Sequence, residues 1–255
     1  MKLPPILLTS SVYAMDFTVV LRDPEERKLH TLNSINHWLN IHPDIQLVIC
    51  DGSGYDFTEN ISKLYPKRSV ECLNFINDKR KIEAYGKGYG ESNIINYALD
   101  HSTILKKEDW FCKCTGKLWV DNFIECVGRW NGHFLCQAYF SGVFEVHKSV
   151  QFFNVDTRFY ISSKKVYQRY FRYIHLLENN NSPISLEDEF KRIIIENELY
   201  GSLFPIHPIV RGVAGGSGNS YKDTNFRILK DRLRLKLVIA KKKYSKWFSE
   251  SPTNE

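Results

Sequence analysis

Short apolar runs alternate with helical stretches through the first half of this chain, and that alternation limits the folds open to it. The apolar runs predict four strands, at residues 6–9, 45–50, 71–75 and 110–114. Stretches of helical periodicity separate them, at residues 23–38, 57–64 and 90–105. Strands joined through helices pair in parallel, so the sequence predicts an α/β protein with a doubly wound, nucleotide-binding sheet and flanking helices.

The second half of the chain is less regular. Strands are predicted at residues 134–145 and 151–161, helices at 164–177 and 186–199, a loop at 205–220 and a basic helix after it. The sheet is therefore expected to end in mixed strands and to bind ligands at the carboxyl ends of its parallel ones. We expect one domain over residues 1–225 and a basic amphipathic C-terminal helix and tail over residues 226–255.

Positive charge is concentrated near the C-terminus of the 255-residue chain. Residues 227–246 carry nine lysines and arginines against one acid, whereas the whole chain has a net charge of +6. An anionic surface partner is therefore expected to meet this end of the chain. The six cysteines are unevenly spaced and no apolar run approaches the ~20 residues of a membrane span, so we expect a cytoplasmic protein without a disulfide framework.

Polar residues follow the first two predicted strands. Thr9, Ser10 and Ser11 end the first, and Asp51 and Ser53 follow the second. Both strand ends face the crevice where open α/β sheets bind ligands, so these side chains are candidates for binding a nucleoside. The alternative is that Asp51 and Ser53 only shape a turn.

Two lysine-containing segments are candidates for binding phosphate. Lys87 opens a glycine-rich segment just before a helix, where backbone amides favour an anion. Lys113, Thr115 and Lys117 close the fourth strand, and the two lysines together can neutralise a diphosphate. A plain loop at Lys87 and a solvated turn after Lys113 remain as alternatives. Neither segment has the spacing of a nucleotide-hydrolase or dinucleotide-binding loop.

The predicted loop near residue 211 carries four glycines in seven residues. Such a loop can form a nest of backbone amides around a phosphate group, and the residues predicted to contribute to it are Arg211, Gly215, Gly216, Ser217 and Tyr221. A mobile surface loop is the alternative.

Two acids open the helix predicted at residues 186–199. Asp188, or Glu187 beside it, is a candidate general base in a cleft. The alternative is a helix cap, because Ser185 precedes them as an N-cap residue. Cys112 and Cys114 have no second pair at zinc-site spacing, and the histidines form no metal-binding pattern, so no metal site is expected.

Taken together, these segments resemble the small bacterial glycosyltransferases of capsule and O-antigen (lipopolysaccharide) biosynthesis, whose fold is GT-A. The segments that carry the resemblance are Leu8-Thr9-Ser10-Ser11, Arg27, Trp38, Asp51-Gly52-Ser53-Gly54, Gly86-Lys87-Gly88-Tyr89-Gly90-Glu91, Lys113-Cys114-Thr115-Gly116-Lys117 and the loop at 212–221. A closer similarity is to the galactofuranosyl-transferring domains of O-antigen polymerases. The resemblance implies a GT-A-like glycosyltransferase that uses a nucleoside-diphosphate sugar, with UDP-galactofuranose as one donor and a glycan or lipid-linked glycan as acceptor.

One departure from the family concerns metal. Most GT-A enzymes hold a divalent metal with a DxD motif after the fourth strand, where this chain has Lys113 to Lys117. Asp121 is a poor substitute and Asp156 lies far downstream. We therefore expect a metal-independent, inverting enzyme in which lysine and arginine replace the metal, with Mg²⁺ or Mn²⁺ left open should Asp156 fold back to the donor.

Two other function classes fit parts of the sequence. A sugar nucleotidyltransferase would need carboxylates for Mg²⁺ and usually a glycine-rich loop after the first strand, where Thr9, Ser10 and Ser11 stand instead. A non-catalytic nucleic-acid-binding protein would use the basic C-terminus, but that segment is interleaved mostly with aliphatic residues, so no nucleic-acid partner is expected.

The basic C-terminal segment predicts a membrane contact. Apolar residues recur there at steps of three or four: Phe226, Leu229, Leu233, Leu237, Ala240, Tyr244 and Trp247. With Trp247 and Phe248 as interfacial anchors, such a helix would hold the protein on the inner face of the plasma membrane. The alternative is a solvated helix that packs its leucines on the domain.

Overall fold

The structure is a computed structural model that describes residues 2–16, 18–145, 147–174, 185–221 and 224–248. Its centre is a six-stranded sheet with the order β3-β2-β1-β4-β7-β6. The strands are β1 (Ile6–Ser10), β2 (Leu47–Asp51), β3 (Val70–Asn74), β4 (Trp110–Thr115), β6 (Phe134–Ser141) and β7 (Gln151–Ser163). The first four pair in parallel, and β7 and β6 add to β4 as antiparallel strands. The mixed α/β sheet predicted from the sequence is confirmed.

Helices cover both faces of this sheet. They are α1 (Pro24–Ile41), α2 (Thr58–Leu64), α3 (Lys79–Tyr85), α4 (Lys87–His101), α5 (Thr103–Lys106), α6 (Phe123–Val127), α7 (Lys164–Val166), α8 (Leu186–Glu196), α9 (Asn225–Ile239) and α10 (Lys242–Ser245). One hydrophobic core joins α4 and α8 to the sheet, and a second joins α1, α2 and α6 to the opposite face. Alternate residues of β1 point into the two cores: Leu7 into the first, Ile6 and Leu8 into the second.

Local sequence signals explain where several helices begin. Asp23 caps α1, its carboxylate accepting from the Glu26 amide at 2.7 Å, and Pro24 occupies the first turn. Ser185 caps α8 by accepting from the Asp188 amide. The prediction of a helix at 164–177 is corrected, because α7 is followed by a π-helical turn, Tyr167–Phe171, and residues 175–177 lie outside the described part.

A second, three-stranded sheet was missed by the sequence reasoning. It has the order β5-β8-β9, with β5 at Leu118–Val120, β8 at Val210–Val213 and β9 at Ser220–Tyr221. The predicted loop at 205–220 therefore contains β8 and the start of β9, which form a hairpin around the glycines. These strands are two to four residues long, too short to give an apolar alternation.

The C-terminal segment packs on the domain. Val238 of α9, Tyr244 of α10 and Phe248 are buried in the first core, and the Tyr244 hydroxyl donates to the Val150 carbonyl. Of the helices in the described ranges, none is long and apolar enough to cross a membrane.

Candidate functional site

A cavity of about 170 Å³ opens at the carboxyl ends of β1 and β4. The strand order reverses between these two strands, since β2 and β3 follow on one side of β1 and β4 lies on the other. This is the position at which α/β sheets bind ligands. Eight of the residues predicted to bind a donor line it: Thr9, Ser10, Ser11, Lys87, Thr115, Lys117, Gly215 and Gly216.

Two buried polar atoms on the cavity lack a partner. Ser10 is 2% exposed and Asn77 is 5% exposed. Within the described residues, neither Ser10 Oγ nor Asn77 Oδ1 has a hydrogen-bond partner, while Asn77 Nδ2 donates to the Gly90 carbonyl at 3.2 Å. An unpaired buried polar atom costs about 1–3 kcal/mol, so these two atoms indicate where a ligand would bind. Sequence reasoning missed Asn77, although it follows the third strand as Ser53 follows the second.

Two lysines reach the cavity beside the glycine turn of the β8–β9 hairpin. A Cβ atom built on Gly215 would lie 3.5 Å from Lys117 Nζ, and one built on Gly216 would lie 3.7 Å from Lys87 Nζ. Among the described side chains, no carboxylate lies within ion-pair distance of Lys117. Its burial lowers the pKa of Lys117 to about 7, with the charge of Arg27 acting in the same direction.

Helix α4 begins at the same cavity. Its residues Lys87, Gly90 and Glu91 line the wall, and Gly86 precedes the helix without any side-chain cap. The first amides of a helix lack carbonyl partners within it and favour an anion. Lysine ammonium groups, helix amides and the glycine turn therefore surround one space that suits a phosphate or diphosphate group.

Arg27 ties the two loops of the cavity together. Its Nε donates to the Ser11 carbonyl at 2.8 Å, and its Nη1 donates to the Leu21 carbonyl at 2.7 Å and to the Gly215 carbonyl at 3.3 Å. The Val20 amide also donates to the Gly216 carbonyl at 2.8 Å. Arg27 was absent from the predicted site. The sequence pattern that could have identified Arg27 is its helical spacing from Thr31 and Ser34. All three are polar and buried on one face of α1.

Lys113 differs from its predicted role. Its Nζ lies 2.6 Å from Glu91 Oε1 and donates to the Thr157 carbonyl at 2.8 Å, inside the sheet and outside the cavity lining. A buried ammonium needs a partner, and the Glu91 carboxylate supplies it. Lys117 and Lys87 therefore line the cavity, whereas Lys113 neutralises Glu91.

Asp51 and Ser53 hold the backbone together below the cavity. Asp51 is fully buried, and its carboxylate accepts from the amides of Val12, Ser53 and Tyr55. The Ser53 hydroxyl donates to Asp51 at 2.6 Å and accepts from the Tyr13 amide. Neither residue lines the cavity, which corrects their assignment as nucleoside ligands in favour of the turn-shaping alternative.

Three residues predicted around the glycine turn lie away from the cavity. Arg211 forms an ion pair with Asp121 at 2.8 Å, and the Tyr221 ring packs under Arg158, whose Cζ lies 4.4 Å from the ring centre. Ser217 is exposed on the outer side of the turn. Their assignment to the site is corrected, because of the five residues predicted around the turn only Gly215 and Gly216 line the cavity.

The two candidate bases have different surroundings. Glu187 lines a second cavity of about 390 Å³, which shares Asp16, Ile82, Lys87 and Glu91 with the first. Its Oε1 accepts from the Thr157 hydroxyl at 2.9 Å. Asp188 is exposed and lines neither cavity, while its amide completes the cap with Ser185. Of the two candidates, Glu187 therefore lines a cavity and Asp188, the first choice, does not.

Four acids line the two cavities, Asp16, Glu83, Glu91 and Glu187, whereas Asp156 lies on neither of them. Asp156 pairs with Arg158 and accepts from the Tyr139 hydroxyl at 2.9 Å, so it does not fold back to the cavity. In the described part of the chain, no group of three or more histidines, cysteines and acids has the geometry to hold a metal ion.

Comparisons with known proteins give distant structural similarities. No protein-family model and no curated protein matches the sequence. The chain is similar to the galactosyltransferase LgtC in complex with donor and acceptor sugar analogues, at 8% identity and a TM-score of 0.46 over 78% of this chain and 72% of that one. It is similar to the bifunctional glycosyltransferase WbbM, at 8% identity and a TM-score of 0.44 over 99% of this chain and 46% of that one. It is also similar to the bifunctional IspDF from Campylobacter jejuni, at 9% identity and a TM-score of 0.41 over 76% of this chain and 47% of that one. This chain spans about half the length of the last two.

Proposed function

We propose that this protein is a glycosyltransferase that uses a nucleoside-diphosphate sugar without a metal ion. The observation that carries the proposal is the cavity between β1 and β4. There the unpartnered Ser10 Oγ and Asn77 Oδ1 lie with Lys87, Lys117 and the start of α4. The cations and helix amides suit a diphosphate, and the two unpartnered oxygens suit an attached group that offers hydroxyl or amide hydrogen bonds.

The diphosphate is bound between the two lysines. Lys117 approaches from the start of β5 and Lys87 from the start of α4, on either side of the Gly215–Gly216 turn. Both ammonium groups and the α4 amides stabilise the negative charge that develops on the leaving phosphate oxygen. In this proposal they take the place of the metal ion.

Glu187 acts as the general base. It removes the proton from an acceptor hydroxyl in the second cavity, and the hydroxyl oxygen forms a bond to the anomeric carbon. The bond from that carbon to the phosphate oxygen breaks, and its electron pair leaves with the nucleoside diphosphate. Attack from the face opposite the leaving group inverts the anomeric centre. The hydrogen bond from Thr157 keeps the carboxylate oriented.

The acceptor class comes from the family resemblance. We propose a glycan or lipid-linked glycan of capsule or O-antigen biosynthesis as acceptor, and a UDP-sugar, with UDP-galactofuranose the first to examine, as donor. Thr9, Ser10, Ser11 and Asn77 are the side chains available to the nucleoside and sugar.

A thermal-shift screen of nucleoside diphosphates and sugar nucleotides in EDTA tests the donor site. A ligand at 100 times its Kd stabilises the folded state by about 2.7 kcal/mol, which raises Tm measurably. We expect one nucleoside diphosphate to raise Tm in EDTA. The rise should be lost in Lys117→Gln, reduced in Lys87→Gln and kept in Lys63→Gln, which removes an exposed lysine of α2.

Three results contradict parts of the proposal. A rise that requires Mn²⁺ or Mg²⁺ contradicts the metal-free site. A chain that none of the ligands stabilises contradicts nucleotide binding. Release of pyrophosphate from a nucleoside triphosphate and a sugar 1-phosphate makes the chain a sugar nucleotidyltransferase instead.

A further inference from the structure

Helix α9 has two apolar faces. Leu235, Val238 and Ile239 pack against the first core and attach the helix to the domain. Phe226, Leu229, Leu233 and Leu237 point away from it, at steps of three, four and four residues that place them in one row. A helix that served only to cover the domain would need the first face alone.

The outer row is well exposed. Phe226 is 76% exposed and Leu229 is 65% exposed, and Leu233 and Leu237 are half exposed or nearly so. Single exposed leucines are common on protein surfaces, whereas a continuous row of four indicates a surface that binds something apolar. We call these four residues the outer stripe.

Basic residues border the outer stripe on both sides. Helical geometry places Lys230 on one side, and Arg232 and Lys236 on the other. The acid of this helix, Asp231, turns toward the domain and pairs with Arg234 at 2.5 Å. Lys241, Lys242 and Lys243 continue the positive charge beyond the helix end.

We propose that the outer stripe of α9 docks on the surface of an anionic lipid bilayer. The stripe would sink into the boundary between headgroups and acyl chains while the lysines and arginines contact lipid phosphates. Each basic residue near such a surface contributes on the order of 1 kcal/mol. A second copy of this chain fits less well, because pairing two stripes would bring their positive borders together.

The docking surface differs from the one expected from sequence. Tyr244 and Phe248 belong to the core, and Trp247 packs against it and against the Tyr200 ring at 4.8 Å between centres. The expectation that Trp247 and Phe248 anchor the helix in the membrane is therefore wrong. Phe226 takes that position, at the opposite end of α9.

The N-terminal end of α9 lies close to the donor cavity along the chain. Asn225 is four positions after Tyr221 of the β8–β9 hairpin, a span of at most about 14 Å. Docking would thus hold the hairpin with Gly215 and Gly216 near the lipid surface. A substrate anchored in lipid would reach the site from this side.

Co-sedimentation of the full chain with vesicles tests the inference. The vesicles are phosphatidylcholine with or without phosphatidylglycerol, in about 0.1 M and about 1 M salt. We expect binding to the anionic vesicles at low salt and release at high salt. Leu229→Ser with Leu233→Ser should weaken binding at least tenfold, and Arg232→Gln with Lys236→Gln should weaken it and reduce its salt dependence.

A matched control separates the stripe from general hydrophobicity. Leu29 of α1 is 64% exposed, close to Leu229, so Leu29→Ser should leave vesicle binding unchanged. Circular dichroism and Tm of each variant report on folding, and these exposed changes should leave both near those of the parent. Truncation would not serve, since it removes the core residues Tyr244 and Phe248.

Three results overturn the inference. Absence of vesicle binding by the full chain is one, and equal binding by Leu229→Ser with Leu233→Ser is another. The third is a dimer of the full chain, seen by analytical ultracentrifugation, that does not bind vesicles and that is lost in the same double variant. The stripe would then be a contact between two copies of the chain.

Discussion

The Nζ atom of Lys113 lies 2.6 Å from Oε1 of Glu91, and the pair joins strand β4 to helix α4 just after its first turn. Burial alone would raise the pKa of Glu91, but Lys113 and the hydroxyls of Thr9 and Thr115 overcome that effect and hold the pKa below its ordinary value. The pair therefore holds Glu91, which lines the cavity, against strand β4.

Breaking this pair should destabilise the fold. In Lys113→Met, a largely buried carboxylate loses its cation, and we expect a loss of about 3 kcal/mol in the free energy of unfolding, measured with urea. Lys63→Met breaks the exposed pair with Glu59 and should cost less than about 1 kcal/mol. Equal losses in the two variants would contradict a structural role for Lys113.

The same pair predicts part of the acid sensitivity. The folded-state pKa of Glu91 is lowered, so its stabilising effect is present above its unfolded-state pKa and is lost as pH falls through the folded-state value. In Glu91→Gln this contribution is absent at all pH values. We therefore expect the parent and Glu91→Gln to differ in stability at neutral pH and to converge below about pH 4.

Binding of a nucleoside diphosphate should depend on pH through Lys117. Because burial lowers the pKa of Lys117 to about 7, the lysine is largely neutral above that pH and must take up a proton to pair with the diphosphate. We expect the affinity for UDP to fall by up to about tenfold per pH unit above 7. Calorimetry in buffers of different ionisation enthalpy should show proton uptake on binding at the higher pH.

Lys117→Arg supplies the control for this prediction. Its guanidinium keeps its charge at these pH values, so UDP binding should lose the proton uptake and become nearly independent of pH in this range. An unchanged pH dependence in Lys117→Arg would assign the effect to the ligand or to another group.

Turnover should depend on Glu187 rather than Asp188. Glu187→Gln keeps the size and the hydrogen bond from Thr157 but cannot accept the acceptor's proton. We expect its kcat to fall about 10²–10⁴-fold with donor affinity nearly unchanged. Asp188→Asn, one position along the helix, should keep near-normal turnover. The measurement is transfer or hydrolysis of the sugar nucleotide found in the binding screen, and the reverse ranking would return the role of base to Asp188.

Gly212 should be required for the glycine hairpin. Its φ is +110°, and a Cβ built on it would lie 2.1 Å from the Lys117 carbonyl oxygen. Gly212→Ala must therefore displace β8 from Lys117, and we expect a loss of more than about 3 kcal/mol in unfolding free energy together with loss of UDP binding.

Gly132 is a matched position for this test. Its φ is +84°, but a Cβ there meets nothing within 4 Å. Gly132→Ala should cost about 1 kcal/mol and leave UDP binding intact. Similar losses for both alanines would mean that backbone strain, and not the contact with Lys117, explains the effect.

The parallel half of the sheet could be predicted from sequence because its strands are buried on both faces. Residues such as Ile49 and Val48 therefore form continuous apolar runs that stand out from their surroundings. The β8–β9 hairpin could not, since Gly212 and Tyr221 pair across two very short strands whose partner, β5, lies about 90 residues earlier.

The sequence predicted those residues of the candidate site that stand at the end of a strand or the start of a helix, such as Ser10 and Lys87. It could not predict their pairings. The partner of Lys113 is Glu91, on an element that only the folded sheet brings near. The choice between Glu187 and Asp188 depends on the rotation of α8 about its axis, and one residue changes that direction by roughly 100°.

Ser10 and Gly216 line one cavity, although they stand near opposite ends of the chain. During synthesis, β1 to β4 leave the ribosome long before the β8–β9 hairpin does. A nascent or prematurely terminated chain that stops before residue 215 lacks Gly215 and Gly216, two of the residues that line the cavity. If a nucleoside diphosphate binds there as proposed, it would stabilise only chains that include this hairpin, and its supply would then favour those chains over shorter fragments in a cell that degrades unfolded protein.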